Sequence, residues 1–270
     1  MNVRHRSPLW CRVARRLGQR LFCLAENNHD TRIAHNGERW LLRELLGAHV
    51  REGTNAPAVV IDAGANTGGY TREILQRARE TNCAVDVHVF EPSPHCGEIL
   101  RREFVAAANV RIVPTALGDR AGDAVLHAGK SGSSQASLVA RPGLAGEPAG
   151  AIQVPVARLD DYLERHDVGR VNLLKLDVEG FELAALRGAG ERLTPESIDV
   201  IQFEYGGTTM DAGTTLRDLY ALLGARGYAV AKLYPSAVEV RGYAPWMEHY
   251  AYANYVALSP RWCQASGASR

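Results

Sequence analysis

The sequence predicts an α/β fold: a mostly parallel sheet with helices on both faces and an antiparallel strand at its C-terminal edge. Three observations carry that expectation. Short apolar runs alternate with helix-length amphipathic segments from residue 59 onward, the pattern of βα units stacked into a parallel sheet. The runs are almost continuously apolar, as in strands covered on both sides. The last two runs lack a helical segment between them, so they pair as antiparallel neighbours.

The elements follow in order. VVID (59–62) runs into the small-residue loop Gly64-Ala65-Asn66-Thr67-Gly68-Gly69, and the spacing predicts a helix over about 69–80. VDVHVF (85–90) precedes a helix carrying Ile99, Leu100 and Phe104, and VRIVP (110–114) precedes TALGD. DAVLHA (123–128) and IQVPVARL (152–159) are strand candidates flanking a Gly-, Ser- and Pro-rich segment of about 20 residues, a length that suits a substrate-facing loop. VNLLKL (171–176) leads into a helix stopped near Gly188 and Gly190. IDVIQF (198–203) leads through EYGG into TTLRDLYALLGARG. YAVAKLY (228–234) and AYANYVAL (251–258) are the terminal antiparallel pair, separated by Pro235, Gly242 and Pro245. The organisation expected is an N-terminal helical extension (1–56), one cofactor-binding domain (57–260) with 123–159 inserted as a strand pair and loop, and a flexible tail (261–270).

Composition narrows the function. The 270 residues are 46% hydrophobic and 23% charged with net charge +1, so no basic surplus marks a nucleic-acid binder. No apolar run is long enough to span a bilayer. The five scattered cysteines form neither a disulfide frame nor a metal site and read as reduced thiols of a cytoplasmic protein. The N-terminus carries Arg4, Arg6, Arg12, Arg15, Arg16 and Arg20, with Leu9, Val13, Leu17, Leu21 and Leu24 at helical spacing. A basic amphipathic helix can lie on a membrane. The expectation here is a helix packed on its own domain with its arginines in water, without membrane contact.

The loop after Asp62 sets the chemistry. A dinucleotide fingerprint needs glycine where Asn66 stands, and no P-loop is present, so a pyrophosphate cradle fits poorly. A carboxylate beside the turn, Asp62, suits a cationic sulfonium or ammonium ligand, and Glu91 after the second strand suits ribose hydroxyls. S-adenosyl-L-methionine offers all of these groups. A Rossmann-type NAD(P)-binding oxidoreductase and a catalytically silent cofactor-binding protein are the alternatives.

Taken in order, VVIDAGANTGGYT, VFEPSP, NVRIVPTALGDRAG, VARLDDYL and LLKLDVEGFELAALRGA closely resemble the FkbM-type S-adenosylmethionine-dependent methyltransferases. The resemblance covers roughly 57–206, and NGERWLLRELL (36–46) is also similar. It implies a seven-stranded class I methyltransferase, Rossmann-like fold. In it Asp62, Gly64, Asn66 and Gly68 line the methionine half of the cofactor, Glu91 with Pro92 beside it holds the ribose, and Asp119 meets the adenine amine. It also implies O-methylation of a small-molecule or glycan hydroxyl acceptor on a sugar, lipid or polyketide-type scaffold.

Strand-end acids supply candidate catalytic groups, because ligands of open α/β sheets lie outside the carboxyl ends of the strands. Methyl transfer to a hydroxyl needs the oxygen held in line and its proton accepted. Asp177 is the first candidate, Glu204 the second and Glu179 the third, with helix capping the competing role for Glu179. No metal ligand set is assigned. Lys175, inside a central strand, needs a buried partner, for which Glu204 or Glu91 is expected. Homo-oligomerisation is left open.

Overall fold

A computed structural model describes residues 7–127, 137–138 and 151–265. Helix α1 (Leu9–Ala25) and helix α2 (Glu38–Arg51) precede β1 (Ala58–Ala63). Then come α3 (Gly69–Thr81), β2 (Val85–Phe90), α4 (Pro94–Glu103), β3 (Val110–Val113), β4 (Ala116–Leu117), β5 (Gly122–His127), β6 (Ala151–Ala157) and α5 (Leu159–Arg165). The second half holds β7 (Val171–Leu176), α6 (Glu182–Gly188), β8 (Ile198–Tyr205), α7 (Gly207–Asp211), α8 (Leu216–Ala225), β9 (Ala229–Tyr234), β10 (Ala237–Val240), β11 (Ala253–Leu258) and α9 (Pro260–Ala265).

Eight strands form the main sheet in the order β10-β9-β11-β8-β7-β1-β2-β3. Strands β3, β2, β1, β7 and β8 are mutually parallel, and β11 pairs antiparallel with both β8 and β9. The expected antiparallel terminal pair is therefore present. The sheet has one strand more than the seven expected, because the chain turns back after Tyr234 and β10 pairs with β9 as an edge hairpin.

Successive strand residues point to opposite faces. Val60, Val87, Leu173, Val200 and Val256 meet Leu42 and Leu46 of α2, Ile74 of α3 and Leu100 of α4. Ile61, Leu174, Ile201 and Tyr255 meet Leu159 and Leu163 of α5, Leu186 of α6 and Leu219 of α8. Both faces are covered, which is why the strands read as unbroken apolar runs.

Three expectations change. The N-terminal 56 residues are not one extension: α2 is built into the core, whereas α1 contributes no buried residue. The run expected as strand to residue 159 ends at Ala157, and Leu159, fully buried, opens α5 instead. The tail expected from 261 begins inside α9; residues 266–270 lie outside the described residues. The strand pair β5 and β6 forms as expected, joined by β4 into a small second sheet. Most of the loop between them lies outside the described residues.

Helix α8 starts with a reciprocal cap: the Asp218 N–H donates to Thr215 Oγ1 at 3.1 Å, and the Thr215 N–H donates to Asp218 Oδ2 at 2.9 Å. Replacing Thr215 by Ala is expected to cost about 1 kcal/mol in denaturant unfolding with an unchanged slope.

Candidate active site

The strand order reverses at β1, where β2 lies on one side and β7 on the other. The crevice beyond the carboxyl ends at such a point is where open α/β sheets bind ligands. Two cavities open there. A narrow one, about 90 Å³, is walled by Phe90, Leu117, Leu126 and Leu138 with Glu91, Pro92 and Cys96. A wider one, about 470 Å³, is walled by Glu38, Asp62, Tyr70, Lys175, Glu204 and Tyr252 among others. Gly64, Asn66, Asp177 and Glu179 line both and mark where they join.

The loop after β1 owes its shape to close approach and left-handed backbone. Gly64 has φ +84°, and a Cβ there would sit 1.8 Å from the Asp177 carbonyl oxygen. Only glycine lets the ends of β1 and β7 come this close. Asn66 also adopts the left-handed region, which asparagine tolerates. Its N–H donates to Glu91 Oε2 at 2.7 Å, and the Ser93 N–H donates to Oε1 at 2.8 Å. The Asn66 amide is thus turned onto a carboxylate and not toward an anionic ligand. Burial pushes the Glu91 carboxyl up to about 7, against these two N–H donors.

Asp62 is buried on the floor of the wider cavity and accepts a 2.6 Å hydrogen bond from the Thr71 hydroxyl. Burial raises its carboxyl to about 6, with the Lys175 charge and the Thr71 bond pulling down. Lys175, 2% exposed, sits among the strand-end acids. Its Nζ donates to Asp177 Oδ2 at 2.9 Å and lies 3.7 Å from Glu38 and 3.9 Å from Glu204. The ammonium also stands 5.0 Å above the Tyr70 ring. Burial alone would depress its pKa, but the surrounding carboxylates outweigh that and hold it well above the ordinary range. Of the two partners expected for it, Glu204 is near. Glu91 is instead held by the loop amides, and Asp177 and Glu38 take its place.

Glu204 lies inside β8, one residue before its end, not after it. Its Oε1 accepts from the Tyr252 hydroxyl at 2.9 Å. Burial and then the Asp177 charge push its carboxyl well above the usual range. Asp177 is the more open of the two, with its side chain 34% exposed. Glu179 has φ +52° and lines the junction, while its carbonyl accepts from the Ser137 hydroxyl at 2.7 Å. The loop leading into α6 is held by Glu182, whose Oε1 accepts from the N–H groups of Val178 and Gly180 at 3.2 Å each.

Two sequence candidates fall outside the cavity walls. Gly68 is left-handed, and a Cβ on it would meet Phe104 at 2.8 Å; it lets α3 pack against α4. Asp119 lines neither cavity among the described residues; its carbonyl accepts from Arg158 Nη1 at 2.7 Å. The expected substrate-facing loop reaches the site at its two described residues, through Leu138 in the wall and Ser137 on Glu179.

Several lining residues escaped sequence reasoning. Glu38 reads as a first-turn helix acid. In the fold it accepts from Gln202 Nε2 at 2.6 Å and from Asn36 Nδ2 at 2.8 Å, while Gln202 accepts from the Tyr70 hydroxyl at 2.9 Å. The resemblance at 36–46 was the only signal for it. Tyr252 had none, since it precedes a strand like any other aromatic.

The sequence matches the methyltransferase FkbM domain over residues 62–230. It is 26% identical over 148 residues to the 2-O-methyltransferase NoeI of Sinorhizobium fredii, covering 50% of this chain and 59% of that protein. It is 27% identical over 198 residues to the 31-O-demethyl-FK506 methyltransferase FkbM of Streptomyces tacrolimicus, covering 64% and 73%. A solved structure, the methyltransferase FkbM of Methylobacillus flagellatus, is similar with TM-score 0.46 and 16% identity, covering 76% of this chain and 46% of that one. The chain spans less than two thirds of the NoeI sequence.

Two outcomes are expected from this geometry. Gly64→Ala lowers unfolding stability by about 3 kcal/mol or more, read from denaturant melts, because it adds both a clash and an unfavourable φ. Glu91 binds a proton more tightly folded than unfolded, so its contribution to stability falls as pH rises from 4.5 to about 7. Melts of Glu91→Gln and the parent at both ends of that interval should show the variant gaining relative stability with rising pH.

Proposed function

Because the chain belongs to the FkbM methyltransferase family, whose methyl donor is S-adenosylmethionine, we propose that it methylates a hydroxyl oxygen on a sugar or secondary-metabolite scaffold. The observation that carries this reading is the position of Asp177, a partly open carboxylate lining both cavities where they meet. A group placed there touches whatever the narrow cavity delivers and whatever the wide one holds.

The residues present fit the donor. Glu91 keeps lone pairs beyond the two N–H bonds it accepts, enough for a pair of ribose hydroxyls. Phe90, Leu117, Leu126 and Leu138 offer apolar walls to a flat ring. Asp62, Asp177, Glu38 and Glu204 outnumber Lys175, which favours a cationic ligand over an anionic one. When bound, S-adenosylmethionine supplies an electrophilic methyl carbon on a positively charged sulfur.

In this reading Asp177 accepts the proton of the acceptor hydroxyl, and the Lys175 ammonium fixes the rotamer from which it does so. Glu204, held by Tyr252 and with a raised pKa, positions the acceptor by hydrogen bonding. Glu179 lies across the same junction and is assigned to acceptor contact. The wide cavity is lined by Glu38, Asp62, Lys175, Asp177, Glu204 and Tyr252, which suits a hydroxylated acceptor better than an apolar one. NoeI is a 2-O-methyltransferase and the Streptomyces protein a 31-O-demethyl-FK506 methyltransferase, which supports oxygen as the nucleophile.

Incubation with S-adenosylmethionine and a panel of glycosides and hydroxylated polyketides should give a product heavier by one methylene in mass spectrometry. No methylated product across that panel, from protein that binds S-adenosylhomocysteine, would contradict the proposal. Asp177→Asn should lower kcat by about 10²–10⁴-fold with little change in S-adenosylhomocysteine affinity measured calorimetrically. Glu91→Gln should do the reverse, weakening that affinity by about tenfold or more.

A further inference from the structure

Helix α1 does not pack as its sequence led us to expect. Leu9, Trp10, Val13, Leu17, Leu21 and Leu24 are 56–80% exposed, and no residue of the helix is buried. The side that meets the body is a different one: Cys11, Phe22 and Cys23 are half-buried, and the Phe22 ring stands edge-on to Trp246 and His249. At about 100° per residue the six large apolar residues fall within one arc, opposite Cys11 and Phe22. The apolar stripe therefore faces away from the protein.

Its base is held firmly. Glu26 pairs with Arg241 at 2.5 Å, Asn28 Oδ1 accepts from the buried Lys232 ammonium at 3.0 Å, and the His29 N–H donates to the Tyr252 carbonyl at 2.9 Å. The helix is a fixed projection from the body, and the residues after it supply Thr31 and Ile33 to the wall of the wide cavity.

Charge identifies what covers the stripe. Residues 1–25 contain six arginines and no acid, while the whole chain carries +1, so the remainder carries −5. Arg12, Arg16 and Arg20, four residues apart, run along one edge of the stripe with their side chains exposed. A second copy of α1 would set that edge against its own like charges. An apolar stripe with Trp10 near its start, a cationic edge and no acid is complementary to a surface that is apolar beneath and anionic at its rim. Among the described residues no helix is long and apolar enough to cross a membrane, so the contact is one of lying on it. We propose that α1 docks this protein on the surface of an anionic lipid bilayer, with Leu9, Trp10, Val13, Leu17, Leu21 and Leu24 in the headgroup and acyl boundary.

The test is flotation of the full chain with phosphatidylcholine vesicles, with and without phosphatidylglycerol. Binding to the anionic vesicles should exceed binding to neutral ones by about tenfold or more and should weaken with salt. A double variant, Leu17→Glu with Leu21→Glu, should lose flotation. Both positions are exposed, so circular dichroism and S-adenosylhomocysteine affinity should stay unchanged, and lipid binding is read independently of methyl transfer. Failure to float with anionic vesicles overturns the proposal, as does flotation that the double variant retains. A concentration-dependent dimer in sedimentation, abolished by the same variant and unaccompanied by lipid binding, would assign the stripe to a second copy.

Discussion

One buried ammonium organises the site. Lys175 sits in the middle of the sheet, where a lone charge would be intolerable, and it is stable there only because Asp177, Glu38 and Glu204 converge on it from β7, α2 and β8. The dependence is mutual. Without the lysine, three carboxylates would face one another; two of them are also anchored elsewhere, Glu38 by Gln202 and Asn36 and Glu204 by Tyr252. The charge hub thereby ties the N-terminal layer to the sheet and fixes where each acid points.

The second constraint is steric. The ends of β1 and β7 approach so closely that Gly64 cannot carry a side chain, and this brings the two loops of the crevice together. With Asn66 turned onto Glu91, the loop amide is directed at an acid and not at an anionic ligand. The same turn that in other α/β proteins receives a diphosphate is here committed to a carboxylate that remains open to hydroxyl groups. The narrow and wide cavities join at Asp177, beside the point where the strand order reverses.

Strong local patterns were legible in the sequence. Each parallel strand of the main sheet and the helix after β1 appear where apolar runs and periodicity put them, because strands covered on both faces are built mostly of apolar residues. The strand-end acids were legible as well, since a carboxylate just past a buried strand has few places to go but the crevice. The added strand β10 and the early start of α5 were not, being set by a short turn and by the burial of Leu159.

The sequence by itself determined the parallel α/β sheet, the family, and the acids at the strand ends, because all of these are written in residues adjacent in the chain. Only the tertiary structure decided which acids share Lys175, that Gly68 serves helix packing, and that, among the described residues, Asp119 lines neither cavity and nothing covers the apolar face of α1. Those outcomes depend on which distant segments meet, as when residue 38 meets residues 175 and 202, and on which face of a helix the rest of the chain happens to reach. Periodicity reports that a helix has an apolar face; it carries no information about what lies against it.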